Sequence, residues 1–111
     1  MAIEIELYVT ESGKVPFTDW LNGLKDVTAR AKVRVCLDRV RLENFGNYKP
    51  LGQGINELKI HYGPGYRVYY GQSGKKIILL LIGGDKSSQQ KDIKKAREYW
   101  EDYRRRENEN D

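Results

Sequence analysis

Residues 55–82 read INELKIHYGPGYRVYYGQSGKKIILLLI, and the periodicity of this stretch decides the fold. Ile55 to Tyr62 alternates apolar and polar side chains, Gly63-Pro64-Gly65 turns the chain, and Tyr66 to Tyr70 alternates again. This is the pattern of a β-hairpin with a three-residue loop. A second turn at Gln72-Ser73-Gly74 leads into Lys76 to Ile82, which is apolar on both faces and therefore reads as a central strand that Gly83-Gly84 ends.

Upstream, Ile3, Ile5, Leu7 and Val9 alternate with Glu4, Glu6 and Tyr8 and predict a half-buried strand. Pro16 suits the first turn of a helix in which Phe17, Trp20, Leu21 and Leu24 recur at helical spacing as far as Asp26. A longer helix follows from about residue 27 to Phe45, with Val33, Leu37 and Val40 on one face and Gly46 as its C-cap. The Pro- and Gly-rich segment from Asn47 to Gly54 reads as a loop. Beyond the central strand, Ser87 and Gln90 have capping-box spacing. Ile93, Ala96, Trp100 and Tyr103 form the apolar stripe of a last helix, and Arg104 to Asp111 reads as a frayed tail. The order strand, two helices, three strands, helix implies an α+β domain with its helices against one antiparallel sheet.

The 111 residues leave room for one domain only. The longest apolar run, Ile77 to Ile82, falls far short of the roughly 20 residues that cross a bilayer. With no basic-then-apolar leader, the expected location is the cytoplasm, away from membranes. One cysteine, Cys36, and one histidine, His61, exclude an internal disulfide and a four-ligand zinc site of such residues, so neither metal nor cofactor is expected. Cys36 lies near the apolar face of its helix and reads as core filler. Neither a Ser–His–Asp nor a paired-carboxylate signature occurs, and Gly83-Gly84-Asp85-Lys86 lacks the spacing of a Walker loop.

Charge is uneven. Residues 1–50 carry eight basic and seven acidic side chains, whereas residues 51–106 carry twelve and six. That excess suits either a solvated face or a polyanionic partner. If Tyr62 opposes Tyr66, then His61 faces Arg67 and Lys59 faces Tyr69. One side of the hairpin then carries Glu57, Lys59, His61, Arg67 and Tyr69, a cluster suited to a phosphate and a stacked base. The helix start near Lys86 adds backbone N–H groups that attract anions.

Several separated motifs carry a resemblance: Pro16-Phe17 with Trp20-Leu21, Asn44-Phe45-Gly46 through Gly52, Glu57-Leu58-Lys59-Ile60, Gly63-Pro64-Gly65-Tyr66-Arg67-Val68-Tyr69, Leu79-Leu80-Leu81 with Gly83-Gly84-Asp85-Lys86, and Asp92-Ile93-Lys94-Lys95-Ala96. Together, across residues 3–103, the chain resembles the phage Gp49-like, HigB-type branch of the RelE/ParE toxin superfamily. The resemblance implies a compact RelE-like domain with a mainly antiparallel four-stranded sheet. It implies the toxin of a type II toxin–antitoxin pair, a helix-turn-helix HigA-like antitoxin as partner, and ribosome-dependent cleavage of mRNA without a metal. In that chemistry the ribose 2′-hydroxyl attacks the adjacent phosphate. The site needs a proton acceptor, cations for the phosphorane and a donor for the leaving 5′-oxygen.

Arg67 matches the family's phosphate-stabilising arginine, Lys59 its basic position on the first hairpin strand, and Lys86 the basic position after the last strand. His61 is the candidate base, and Tyr69 a proton donor or stacking ring. Lys49, Lys91, Lys94 and Lys95 are RNA-contact candidates. A tyrosine that some members use near the last helix is absent; the position falls at Lys91 or Asp92. Two other readings share the fold: a ParE-like protein that poisons DNA gyrase without catalysis, and an inactive relic that binds only its antitoxin. The clustered cations favour the ribonuclease.

Overall fold

The computed structural model describes residues 3–74 and 77–109. The elements run β1 (Glu4–Leu7), α1 (Pro16–Gly23), α2 (Val27–Arg41), β2 (Tyr48–Gly52), β3 (Ile55–Ile60), β4 (Tyr66–Ser73), β5 (Ile77–Asp85), a 3-10 turn (Lys86–Ser88) and α3 (Gln89–Glu109). The fold is α+β, built on one five-stranded sheet of order β1-β5-β4-β3-β2. Every neighbouring pair is antiparallel except β1 with β5, which is parallel.

The fifth strand is the segment read as a loop. Tyr48, Lys49 and Pro50 pair with Leu58, Glu57 and Asn56. Pro50 is tolerated because β2 is an edge strand, where a missing N–H removes no ladder bond from a further neighbour. The helices divide between the two faces of the sheet. Ala29, Val33, Leu37 and Val40 of α2 and Phe17 and Leu21 of α1 pack with Leu58, Val68, Tyr70 and Leu80. On the opposite face Ala96 and Trp100 of α3 pack with Tyr8, Ile55, Tyr69, Leu79 and Leu81.

Local boundaries move for identifiable reasons. Helix α2 starts where Asp26 caps it, accepting from the N–H groups of Thr28 and Ala29, and ends at Arg41 rather than Phe45. Glu43 takes a left-handed φ of 64°, its N–H donates to Val40 and that of Asn44 to Arg39, which completes a Schellman cap without glycine. Strand β5 runs through both glycines to Asp85, because at Gly83 the ring of Trp20, and at Gly84 the carboxylate of Asp92, occupies the space a Cβ would need. Asp85, not Ser87, caps the following turn, in a capping box with Ser88. The alternation expected of β1 stops at Leu7: Tyr8 is buried, while Leu7 and Val9 are exposed. Helix α3 continues to Glu109, so the tail after Tyr103 is helical. Lys76, expected to open the central strand, and Asn110 and Asp111 of the expected tail lie outside the described residues.

Candidate active site

The β3–β4 hairpin closes two residues earlier than the Tyr62–Tyr66 pairing requires. Ile60 opposes Tyr66, Lys59 opposes Arg67, Leu58 opposes Val68 and Glu57 opposes Tyr69. Five residues, 61–65, form the connection rather than three. Tyr62 is drawn out of the ladder toward α2, where its hydroxyl donates to Asp26 Oδ2 at 2.8 Å and the Lys32 ammonium lies 5.2 Å from its ring centre. Because the shift preserves strand parity, the same side chains share a face as expected, but their partners change. His61 does not face Arg67; it sits beyond the ladder, exposed, hydrogen-bonded to the side chain of Asn47.

Arg67 therefore has Lys59 across from it on one side and Gly84 on the other. Its Nη1 donates to the carbonyl of Gly65 at 3.0 Å. A Cβ built on Gly65 would lie 3.6 Å from that Nη1 and 3.9 Å from Cβ of Lys86, so the hairpin turn brings Arg67 and Lys86 to one place. Lys59, Arg67 and Lys86 thus gather at the end of the sheet where α3 begins. Asp85 lies beside them, its carboxyl held below the ordinary value chiefly by its hydrogen bond from Ser87, with Arg67 contributing.

Beneath this surface is a polar layer. Glu57 is wholly buried; its Oε2 accepts from Gln89 Nε2 at 3.1 Å and lies 3.7 Å from Arg67 Nε. Tyr69 is also wholly buried, so its ring offers no face to a nucleobase. Burial first, then the Glu57 carboxylate, raises its hydroxyl's pKa and keeps it protonated. Glu57 Oε1, Arg67 Nε and the Tyr69 hydroxyl make no hydrogen bond of normal geometry among the described residues. Asp92, nearly buried on the first turn of α3, accepts from Ser88 Oγ at 2.5 Å. Glu57 and Asp92, which the sequence motifs contain but which carry no site role there, and Gln89 are the added participants. The signal was available for Glu57, which shares strand parity with Lys59.

The remaining candidates lie apart. Lys49 stands on the edge strand β2 in register with Glu57 and is exposed. Lys91, Lys94 and Lys95 are exposed on α3, on the side away from the buried stripe of Asp92, Ala96 and Trp100. No group of three or more His, Cys, Asp or Glu side chains that could hold a metal ion occurs among the described residues, and no helix among them is long and apolar enough to cross a membrane.

The arrangement can hold a phosphate between fixed cations. Arg67 is prepositioned by strand pairing, by Gly65 and by Glu57, while Lys59 and Lys86 are less confined. A planar guanidinium held this way stabilises charge as it develops without first reorganising.

No family model matches the chain. An uncharacterized protein of Haemophilus influenzae is 42% identical over 97 residues, a span that covers 87% of this chain and 92% of that protein.

Proposed function

We propose, for a chain that belongs to one family with the Haemophilus influenzae protein, that it is the toxin of a type II toxin–antitoxin pair, related to the HigB-type branch of the RelE/ParE superfamily, and that it cleaves mRNA on the ribosome in the cytoplasm without a metal. The observation that carries this reading is the gathering of Lys59, Arg67 and Lys86 at one end of the sheet, with Arg67 anchored from below by Glu57. A non-catalytic gyrase poison has no need of a prepositioned guanidinium flanked by two lysines.

In this mechanism the 2′-hydroxyl oxygen bonds to the adjacent phosphorus and the bond from phosphorus to the 5′-oxygen breaks. The products are a 2′,3′-cyclic phosphate and a 5′-hydroxyl. Arg67 and Lys86 hold the non-bridging oxygens as their charge grows. Lys59, across from Arg67, and His61, next to the hairpin turn, are the two nitrogen bases available to take the 2′-hydroxyl proton. The variants Lys59→Ala and His61→Ala decide between them. The leaving 5′-oxygen takes a proton from the Lys86 ammonium or from water. The antitoxin is a small helix-turn-helix protein of the HigA kind.

The test is induction in a bacterium, followed by primer extension on an abundant mRNA with translation running or blocked. Cuts that need translation support the reading. Growth arrest with intact mRNA moves the target to gyrase, and no arrest leaves a module that only binds its antitoxin.

A further inference from the structure

On the face opposite α3, a groove of about 480 Å3 opens between α2 and the segment joining it to β3. Its volume lies within the roughly 300–1,000 Å3 typical of small-ligand sites. The lining has a distinctive composition. Lys32 and Arg39 of α2 contribute positive charge, and neither Asp nor Glu lines it among the described residues. The nearby carboxylates are engaged elsewhere: Asp26 with Tyr62 and the cap of α2, Asp38 with Arg41 at 2.7 Å.

The floor is apolar, formed by Val35, Cys36 and Ile60. Phe45, half-buried with its ring 6.1 Å from that of Tyr70, borders it. Burial pushes the Cys36 thiol up, and Arg39, which also lines the groove, opposes that rise. At the hairpin end stand the amides of Asn44 and Asn47 and the imidazole of His61. Asn47 Nδ2 is bonded to His61 Nε2 and Asn44 Oδ1 accepts from the Gly46 N–H, which leaves Asn44 Nδ2 and Asn47 Oδ1 to face a ligand.

We propose that this groove binds one nucleotide of single-stranded RNA, its base on the floor beside Phe45 and its phosphate on Lys32 and Arg39. An anion alone would have no use for the floor, and an apolar ring alone no use for the cations. A base with a phosphate uses both, and its edge meets the amides. Lys59 borders the groove while its side chain shares the α3 face with its partner Arg67, so a strand leaving the cleavage cluster crosses the end of β3 to reach the groove. The choice of RNA as the source of the nucleotide rests on the proposed function; the groove's chemistry does not.

The experiment is a titration of the full chain with uridine 5′-monophosphate, followed by amide chemical shifts, with inorganic phosphate, free uridine and a short poly-glutamate peptide as parallel probes. The monophosphate is expected to move the signals of residues 44–47 and 35–39 saturably. The exposed pair Lys32→Ala with Arg39→Ala is expected to weaken binding about tenfold, the loss of a charge-assisted contact. Equal shifts with inorganic phosphate, shifts confined to Arg67 and Lys86, a response to the acidic peptide in place of the nucleotide, or no response would each overturn the proposal. Groove binding without mRNA cleavage would remove the ribonuclease reading and leave the groove. Cleavage without groove binding would do the reverse.

Discussion

Each end of helix α3 meets the sheet at a tyrosine, a carboxylate and an arginine. At the C-terminal end the carboxylate and arginine belong to the helix, whereas at the N-terminal end all three belong to the sheet and Gln89 makes the link. At the C-terminal end the Tyr8 hydroxyl donates to Asp102 Oδ2 at 2.5 Å. Arg106 reaches the same oxygen and the carbonyl of Val9 at 2.6 Å each, and its guanidinium lies over the Tyr8 ring. At the N-terminal end Tyr69, Glu57 and Arg67 are more deeply buried, yet the ion pair is 3.7 Å long and one atom of each residue lacks a hydrogen bond. The first trio is joined by short hydrogen bonds, with only Arg106 Nε left without one. The second leaves bonding capacity unspent where it costs most, which is expected where a group is kept for a ligand.

The largest effect separating the two is expected from Arg67→Ala. Cleavage should fall by about 10²–10³-fold, the scale of losing one prepositioned charge donor, as read from mRNA ends in induced cells. The same change leaves Glu57 buried without its counter-charge and should cost about 3–5 kcal/mol of stability. The double variant Arg67→Met with Glu57→Gln should recover most of that loss in a urea titration while cleavage stays absent. Recovery of cleavage would end the distinction between the two trios.

Gly84→Ala comes next, because its Cβ would occupy the space of the Asp92 carboxylate and force the first turn of α3 off the sheet. A loss of about 1–3 kcal/mol is expected, measured by chemical denaturation, together with reduced cleavage as Gln89 leaves Glu57.

Tyr8→Phe should cost on the order of 1 kcal/mol with cleavage intact. It also sharpens the comparison through pH. Burial, then Asp102, pushes the Tyr8 hydroxyl from 10.0 up to about 12, so the stability it contributes is complete below pH 10 and is lost as pH rises toward 12. Asp102 is held below 3.8 first by Tyr8 and then by Arg106, so its contribution is present above that value and is lost as pH falls through the depressed one. Thermal unfolding from pH 9 to 12 should decline less steeply in Tyr8→Phe than in the wild type. The smallest change in stability, within about 0.5 kcal/mol, is expected of the exposed His61→Ala; any loss of cleavage in it then reports a role at the site rather than unfolding.

Much of this was legible in the residues. Alternation from Ile55 to Ile82 fixed three strands and placed Glu57, Lys59, Arg67 and Tyr69 on one face, because parity survives a shift of two residues. Register was not legible: Tyr62 leaves the ladder for Asp26, 36 positions away, and no local pattern encodes that bond. Strand β2 was hidden by Pro50, Gly52 and Gly54, which act as breakers locally but are compatible with an edge strand. The strand end expected at Gly83-Gly84 failed because those glycines serve close packing against Trp20 and Asp92, a tertiary reason. Burial of Tyr69 was equally unreadable, since α3 covers that face only after the chain has crossed to it.

The most direct measurement compares mRNA 5′ ends in cells induced for the wild type, for Arg67→Met with Glu57→Gln, and for Asp102→Asn, each shown to be folded by its urea transition. Cuts in the wild type and in Asp102→Asn, with none in the double variant, are expected if the trio beneath Lys59 and Lys86 serves cleavage and the distal trio only fastens the helix. Equal cutting by all three would contradict it.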